Sequence, residues 1–145
     1  MAIKKFSRAD SKLILNSIFE AEKLSSGEIR VFVEKTAPDN LPEHVISVFK
    51  RLRMHHTLER NAVLIYLAME SRQFAIFGDK GIHEKMGVQF WTKEAADLQL
   101  QFSQGNMVSG LCNAIQEVGE VLKIHFPHQK THGNQLPDDI AYGKN

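Results

Sequence analysis

The chain has 145 residues, 43% of them apolar and 24% charged, and a formal net charge of +1. That length allows one domain with a sizeable core, and the balanced charge gives no global pull toward nucleic acid, membrane surfaces or acidic substrates. No apolar run approaches the roughly 20 residues of a membrane span, and the N-terminal MAIKKFSRADSK lacks the hydrophobic stretch of a secretory signal, so a cytoplasmic protein is expected.

Ser7 can cap a first helix, with Asp10 in a weak capping-box position. Leu13, Ile14, Ile18, Ala21 and Leu24 then fall at spacings that build one apolar stripe. Ser25-Ser26-Gly27 ends this helix and opens a strand from Glu28 to Val33, where Ile29, Val31 and Val33 alternate with Glu28, Arg30 and Phe32. After a loop containing Pro38, Asn40 is a good N-cap for a helix with Pro42 and Glu43 in its first turn. Val45, Val48, Phe49 and Leu52 face inward there. The basic KRLR segment at its end suits the helix dipole and a solvated face better than a phosphate site.

Ala62 to Met69 is a nearly unbroken apolar run, as expected of a strand buried on both faces. Glu70-Ser71 supply a turn, and Gln73 to Phe77 returns with Phe74 and Ile76 on one face. Asp79 can cap a short helix ending near Gly87. Thr92 then starts another helix with Ala95, Leu98 and Phe102 as its buried side. Gly105-Asn106 breaks and re-caps the chain for a final helix whose stripe runs from Val108 through Leu111, Cys112, Ile115, Val118 and Gly119 to Leu122. Cys112, the lone cysteine, cannot form an internal disulfide and is expected to be a buried, inert thiol. There are no internal repeats. Residues 1–126 are expected to form a single domain, with 127–145 as a docked or frayed tail. Helices before, between and after the strands predict an α/β fold, a three-layer α/β/α sandwich around a small mixed sheet. Three strands are legible, and a fourth would be too short to read.

The stretches SSGEIRVFVE and TLERNAVLIYLAMESRQFAIFGDKGI, followed by a helix with QFSQGNMVSGLCNAI, resemble the TPM domain family. That family is named partly for a thylakoid acid phosphatase and a photosystem II repair protein. The resemblance covers residues 25 to 126, with Asn61, Arg72 and Gly78 at matching positions, and is strongest to a compact stand-alone branch. It implies an α/β/α sandwich with about four strands and divalent-metal binding, usually calcium, near loops at one end of the sheet. Some members are phosphatases and others are assembly or accessory factors. One departure concerns Val88-Gln89-Phe90-Trp91, which offers no acidic residue where many members have one. This argues against phosphatase activity.

Calcium wants six to eight oxygen ligands, drawn from carboxylates and backbone carbonyls. If the first strand runs parallel to Ala62–Met69, Glu28 begins at the same edge as Asn61, and the returning strand brings Asp79 there too. Glu28, Glu59, Asn61 and Asp79 are therefore the candidate metal ligands. Gly78 and Gly81 would permit close approach around them. Divalent cations, calcium first and magnesium or another ion as substitutes, are the expected cofactors. The bland alternative makes Asp79 a helix cap, with Glu28 and Glu59 solvated or ion-paired.

Other constellations are weaker. His125, His128 and His132 form a His-x2-His-x3-His tail, and His55-His56 precede the hairpin, but a histidine-bearing tail is more often surface than zinc site. His83-Glu84 and Asp138-Asp139 could also approach a metal. Arg72 lies beside the turn, away from Asp79, and reads as a structural partner for Glu70 rather than a phosphate clamp. Phe90-Trp91 could form a partner surface but more often such residues anchor a helix on its sheet. No Ser or Cys nucleophile motif and no P-loop is present. The sequence thus points to a cation-binding domain with an accessory or regulatory role and no catalytic residues, with a metal-dependent acid phosphatase as the alternative. No nucleic-acid partner or membrane span is expected, and a protein partner is left unidentified.

Overall fold

The computed structural model describes residues 6–127 and 139–143. The chain runs α1 (Arg8–Glu22), β1 (Glu28–Glu34), α2 (Leu41–Arg51), a 3-10 turn (Met54–His56), β2 (Ala62–Ala68), β3 (Gln73–Gly78), α3 (Lys80–Met86), α4 (Val88–Ser103), α5 (Met107–His125) and β4 (Ala141–Tyr142). The strands form one mixed sheet in the order β3-β2-β1-β4. β1 is parallel to β2, with Glu28 opposite Ala62, and the hairpin pairs β2 antiparallel to β3, with Val63 opposite Gly78. Glu28, Asn61 and Asp79 are thereby brought to the same edge of the sheet.

Two apolar layers follow from the alternation along the strands. Ile29, Val31 and Val33 join Val63, Ile65, Leu67 and Ile76 on the face covered by α1, α4 and α5. Phe32, Leu64 and Tyr66 point to the other face, where Val45, Val48 and Phe49 of α2 and Met54 cover them. Every residue of β2 is buried, because this central strand is covered by helices on both sides. The result is the three-layer α/β/α sandwich around a four-stranded mixed sheet. β4 is two residues long and pairs parallel with Phe32 and Val33 at the far edge of β1. Ahead of that short strand, the Glu22 carboxylate accepts the edge amide of Ile29 at 2.7 Å, giving that buried donor a partner. Among the described residues no helix is long and apolar enough to cross a membrane.

Several local expectations change. In α1, Ile14 and Ile18 are buried, but Leu13, and Leu24 just past the helix end, are about half exposed. Instead of joining the core, they flank a groove of 440 Å³ beside α5. α4 starts at Val88, four residues before Thr92, because Gly87 at φ 77° ends α3 and begins α4 in a single residue. Thr92 lies inside the helix, its hydroxyl donating to Val88 O at 3.1 Å. Cys112 is only half-buried, its Sγ 3.8 Å from Leu13 O. Arg72 sits in the hairpin turn at φ 55°. Glu70 pairs instead with Lys35, whose ammonium is 3.6 Å from its carboxylate.

A buried polar cluster fastens α2 to the sheet. Glu34, at the end of β1, accepts the Tyr66 hydroxyl and, at 2.5 Å, His44 Nε2 from α2. Burial, then the Glu34 carboxylate, raise Tyr66 far above an ordinary phenol, so it remains a donor.

Candidate metal centre

Three loops meet at the edge where β1 and β2 begin. The first, between α1 and β1, is held to the end of α5 by Ser26 N donating to Phe126 O at 3.0 Å. The second, residues 57–61, precedes β2 and places Arg60 in the left-handed region at φ 53°. The third links β3 to α3 through Asp79. The second and third loops touch backbone to backbone: Gly81 N donates to Arg60 O at 2.7 Å. A Cβ at position 81 would fall 2.1 Å from Glu59 O, so only glycine lets α3 begin against this loop.

Glu59 and Asn61 are brought together through Ser26. The Ser26 hydroxyl donates to Glu59 Oε2, while Asn61 Nδ2 donates to Ser26 Oγ at 3.1 Å and to Glu59 Oε2 at 3.4 Å. Asn61 is fully buried, and its Oδ1 has no hydrogen-bond partner. Such an orphaned acceptor costs free energy unless something electropositive reaches it. Glu28, 3% exposed, is buried at the same edge.

Asp79 is engaged differently. Arg60 grips it with two hydrogen bonds, Nε to Oδ2 at 2.6 Å and Nη2 to Oδ1 at 2.9 Å. Its Oδ1 also accepts Lys80 N at 2.7 Å, at the start of α3. The hydrogen bond from Asp79, then its charge, raise the Arg60 guanidinium above its ordinary value. Asp79 is buried while the Arg60 side chain is nearly half exposed, so the cation of this pair is the partner free to leave.

A groove of 450 Å³, lined in part by Gly78, Asp79, Lys80, His83 and Trp91, opens beside Asp79. Trp91 is buried across Gly78, and its indole Nε1 donates to His83 Nδ1 at 3.1 Å. This anchors α4 to the sheet and directs the remaining His83 nitrogen away from the indole. His55 and His56 stack edge to face at 4.1 Å between centroids. Desolvation, then His56, lower the His55 imidazole. His128, His132 and Asp138 lie outside the described residues. Asp139 uses its backbone carbonyl to accept Arg30 Nε at 3.3 Å.

The antiparallel return of the hairpin predicts Asp79 near Glu59, Arg60 and Asn61, as found for Arg60, but sequence reasoning passed over Ser26 and over the ion pair that Arg60 makes. Ser26 looked only like a helix stop. A separate acidic group was also missed. Glu94 and Asp97 of α4 and Glu117 of α5 each place a carboxylate oxygen within 4.8 Å of the others, the one such group of three His, Cys, Asp or Glu residues among the described residues.

Residues 4–121 match the TPM domain. The chain belongs to the TPM domain family. The solution structure of the BA42 protein from the psychrophilic bacterium Bizionia argentinensis is similar to it at 39% identity, with 97% of each chain covered and a TM-score of 0.88. Two more remote structures share the fold alone. An N-terminal domain from P. gingivalis is 17% identical, covering 86% of this chain and 82% of its own, with a TM-score of 0.61. The N-terminal domain of the cg2496 protein from Corynebacterium glutamicum is 16% identical, covering 81% and 74%, with a TM-score of 0.59. No curated protein matches the chain.

Proposed function

We propose that this TPM domain binds divalent cations, calcium foremost, through oxygen ligands at the edge where β1 and β2 begin, and that occupancy sets the arrangement of the loops crossing there. The carboxylates of Glu28, Glu59 and Asp79 do not all stand within 4.8 Å of one another. Glu59 and Asn61 would therefore take the ion first, and Glu28 and Asp79, with loop carbonyls, would complete a hard-oxygen set only as the loops rearrange. The observation that carries this reading is the buried, unpartnered Asn61 Oδ1 beside the Glu59 carboxylate. A cation would meet that acceptor and offset the carboxylates at once.

Arg60 serves as the local counter-charge, holding Asp79. An incoming ion competes with the guanidinium for the same oxygens, so binding would release residue 60 and shift the loop before β2. The free energy available for that shift is the difference in ion affinity between the two loop states. An accessory or regulatory role follows, in which a partner distinguishes those states. Phosphatase action would require turnover of a model phosphate ester that disappears in Asp79→Asn.

Calcium calorimetry on the whole chain and on Glu59→Gln tests the binding. Glu59 is exposed and its replacement is isosteric, so the fold should survive. Binding weakened about tenfold or more, as for loss of one charged ligand, is expected. Equal heats and affinities would remove Glu59 from the site.

A further inference from the structure

We propose a second, separate cation site between α4 and α5, in which Glu94, Asp97 and Glu117 hold a hard divalent ion whose remaining positions are filled by water. Glu94 and Asp97 stand three residues apart on α4 and so share a helix face. Glu117 meets them from α5, and one oxygen from each of the three carboxylates lies within 4.8 Å of the other two. These residues line a cavity of 160 Å³, with Asn113 one turn before Glu117 adding an amide to its wall.

The cluster alone would be an acidic surface patch. Glu94 makes it a site. It is 1% exposed, lines the cavity, and its Oε1 is buried without a hydrogen-bond partner. A carboxylate is not placed in a helix interface at random, because desolvating it is costly unless a cation or proton accompanies it. Burial, followed by the charge of Glu117, pushes the Glu94 carboxyl up to about 7. The ordered cation at hand is the Lys93 ammonium, 2.8 Å from Asp97 but 3.9 Å from both Glu94 and Glu117. Its side chain is 63% exposed. With Lys93 at that distance the cluster keeps a proton, held at Glu94 against Glu117; a divalent ion drawing directly on the three carboxylates would displace that proton and match them better. An all-oxygen set with no His or Cys selects magnesium or calcium over the transition metals.

The test is a titration of the isotopically labelled full chain with calcium alone and with magnesium alone, following amide resonances. Saturable shifts are expected at residues 93–101 of α4 and 110–117 of α5 with at least one of the two ions. They should persist in Glu59→Gln, which touches only the loop site. In the double variant Asp97→Asn, Glu117→Gln, both at half-exposed positions, affinity at these helices should fall at least tenfold while the loop responses remain. Lys93→Gln should strengthen binding, because it removes the resident competitor. The site is overturned if saturating calcium and magnesium both leave these amides unmoved, or if the double variant binds there with unchanged affinity.

Discussion

Asn61 and Arg60 are adjacent in sequence and opposite in charge behaviour, and the cation chemistry turns on both. Asn61 Oδ1 is an acceptor waiting for a positive partner, and Arg60 is a positive partner that occupies Asp79 instead. Replacing the competitor without touching the ligands separates the two roles. Arg60→Gln should tighten calcium binding several-fold, measured by calorimetry, whereas a purely structural Arg60–Asp79 pair would leave the affinity unchanged and lower stability alone. At the other end of β1, Glu34 depends on donors from His44 and Tyr66. Tyr66→Phe strips one donor from a buried carboxylate and should cost about 1–3 kcal/mol in urea unfolding. A loss within a few tenths of that of a surface substitution would mean that the hydroxyl contributes nothing.

Among the elements, the α4–α5 pair has a pH dependence of its own. In the presence of chelator the folded protein retains a proton on Glu94 up to about pH 7, whereas the unfolded chain releases it near 4.5. Between those values the native state binds more protons, so this group's contribution to stability is present at low pH and lost as the pH rises. Its full span is on the order of 3 kcal/mol. Urea midpoints of wild type should therefore fall relative to Glu94→Gln across that interval; parallel profiles would contradict it. The elements also differ in how openly the sequence declared them. β2 was legible because a strand covered on both faces needs no polar position, and β1 because Ile29, Val31 and Val33 alternate. β4 was not, since Ala141–Tyr142 carries no period and exists only through pairing with β1. The start of α4 was misplaced because Thr92 offers an N-cap side chain while the actual boundary is the backbone turn at Gly87. Leu13 and Leu24 followed the helical stripe of α1, but periodicity cannot say where α5 ceases to cover it. The edge holding Glu28, Asn61 and Asp79 was legible from strand direction alone. The nearness of Arg60 to Asp79 was legible in the same way, though not the two-bond grip between them; Glu117 was not, because it meets Glu94 only through helix packing.

For the whole molecule, an ion that binds only the folded chain must raise its stability by mass action. At a calcium concentration 100 times the dissociation constant the gain is about 2.7 kcal/mol per site, equivalent to a rise in Tm of roughly 6–10 °C for a domain of this size. A melt insensitive to calcium and chelator would contradict specific binding at either place. Because the three loops carry the ends of β1, β2 and β3 and the start of α3, occupancy should rearrange that edge while the two apolar layers stay fixed. The most direct measurement is a pair of amide NMR spectra of the full chain, one with saturating calcium and one with chelator. The loop site predicts saturable changes at residues 25–28, 57–61 and 78–82, with the strand interiors of β1 and β2 little altered. Spectra that superimpose at those residues, whatever happens between α4 and α5, would contradict it.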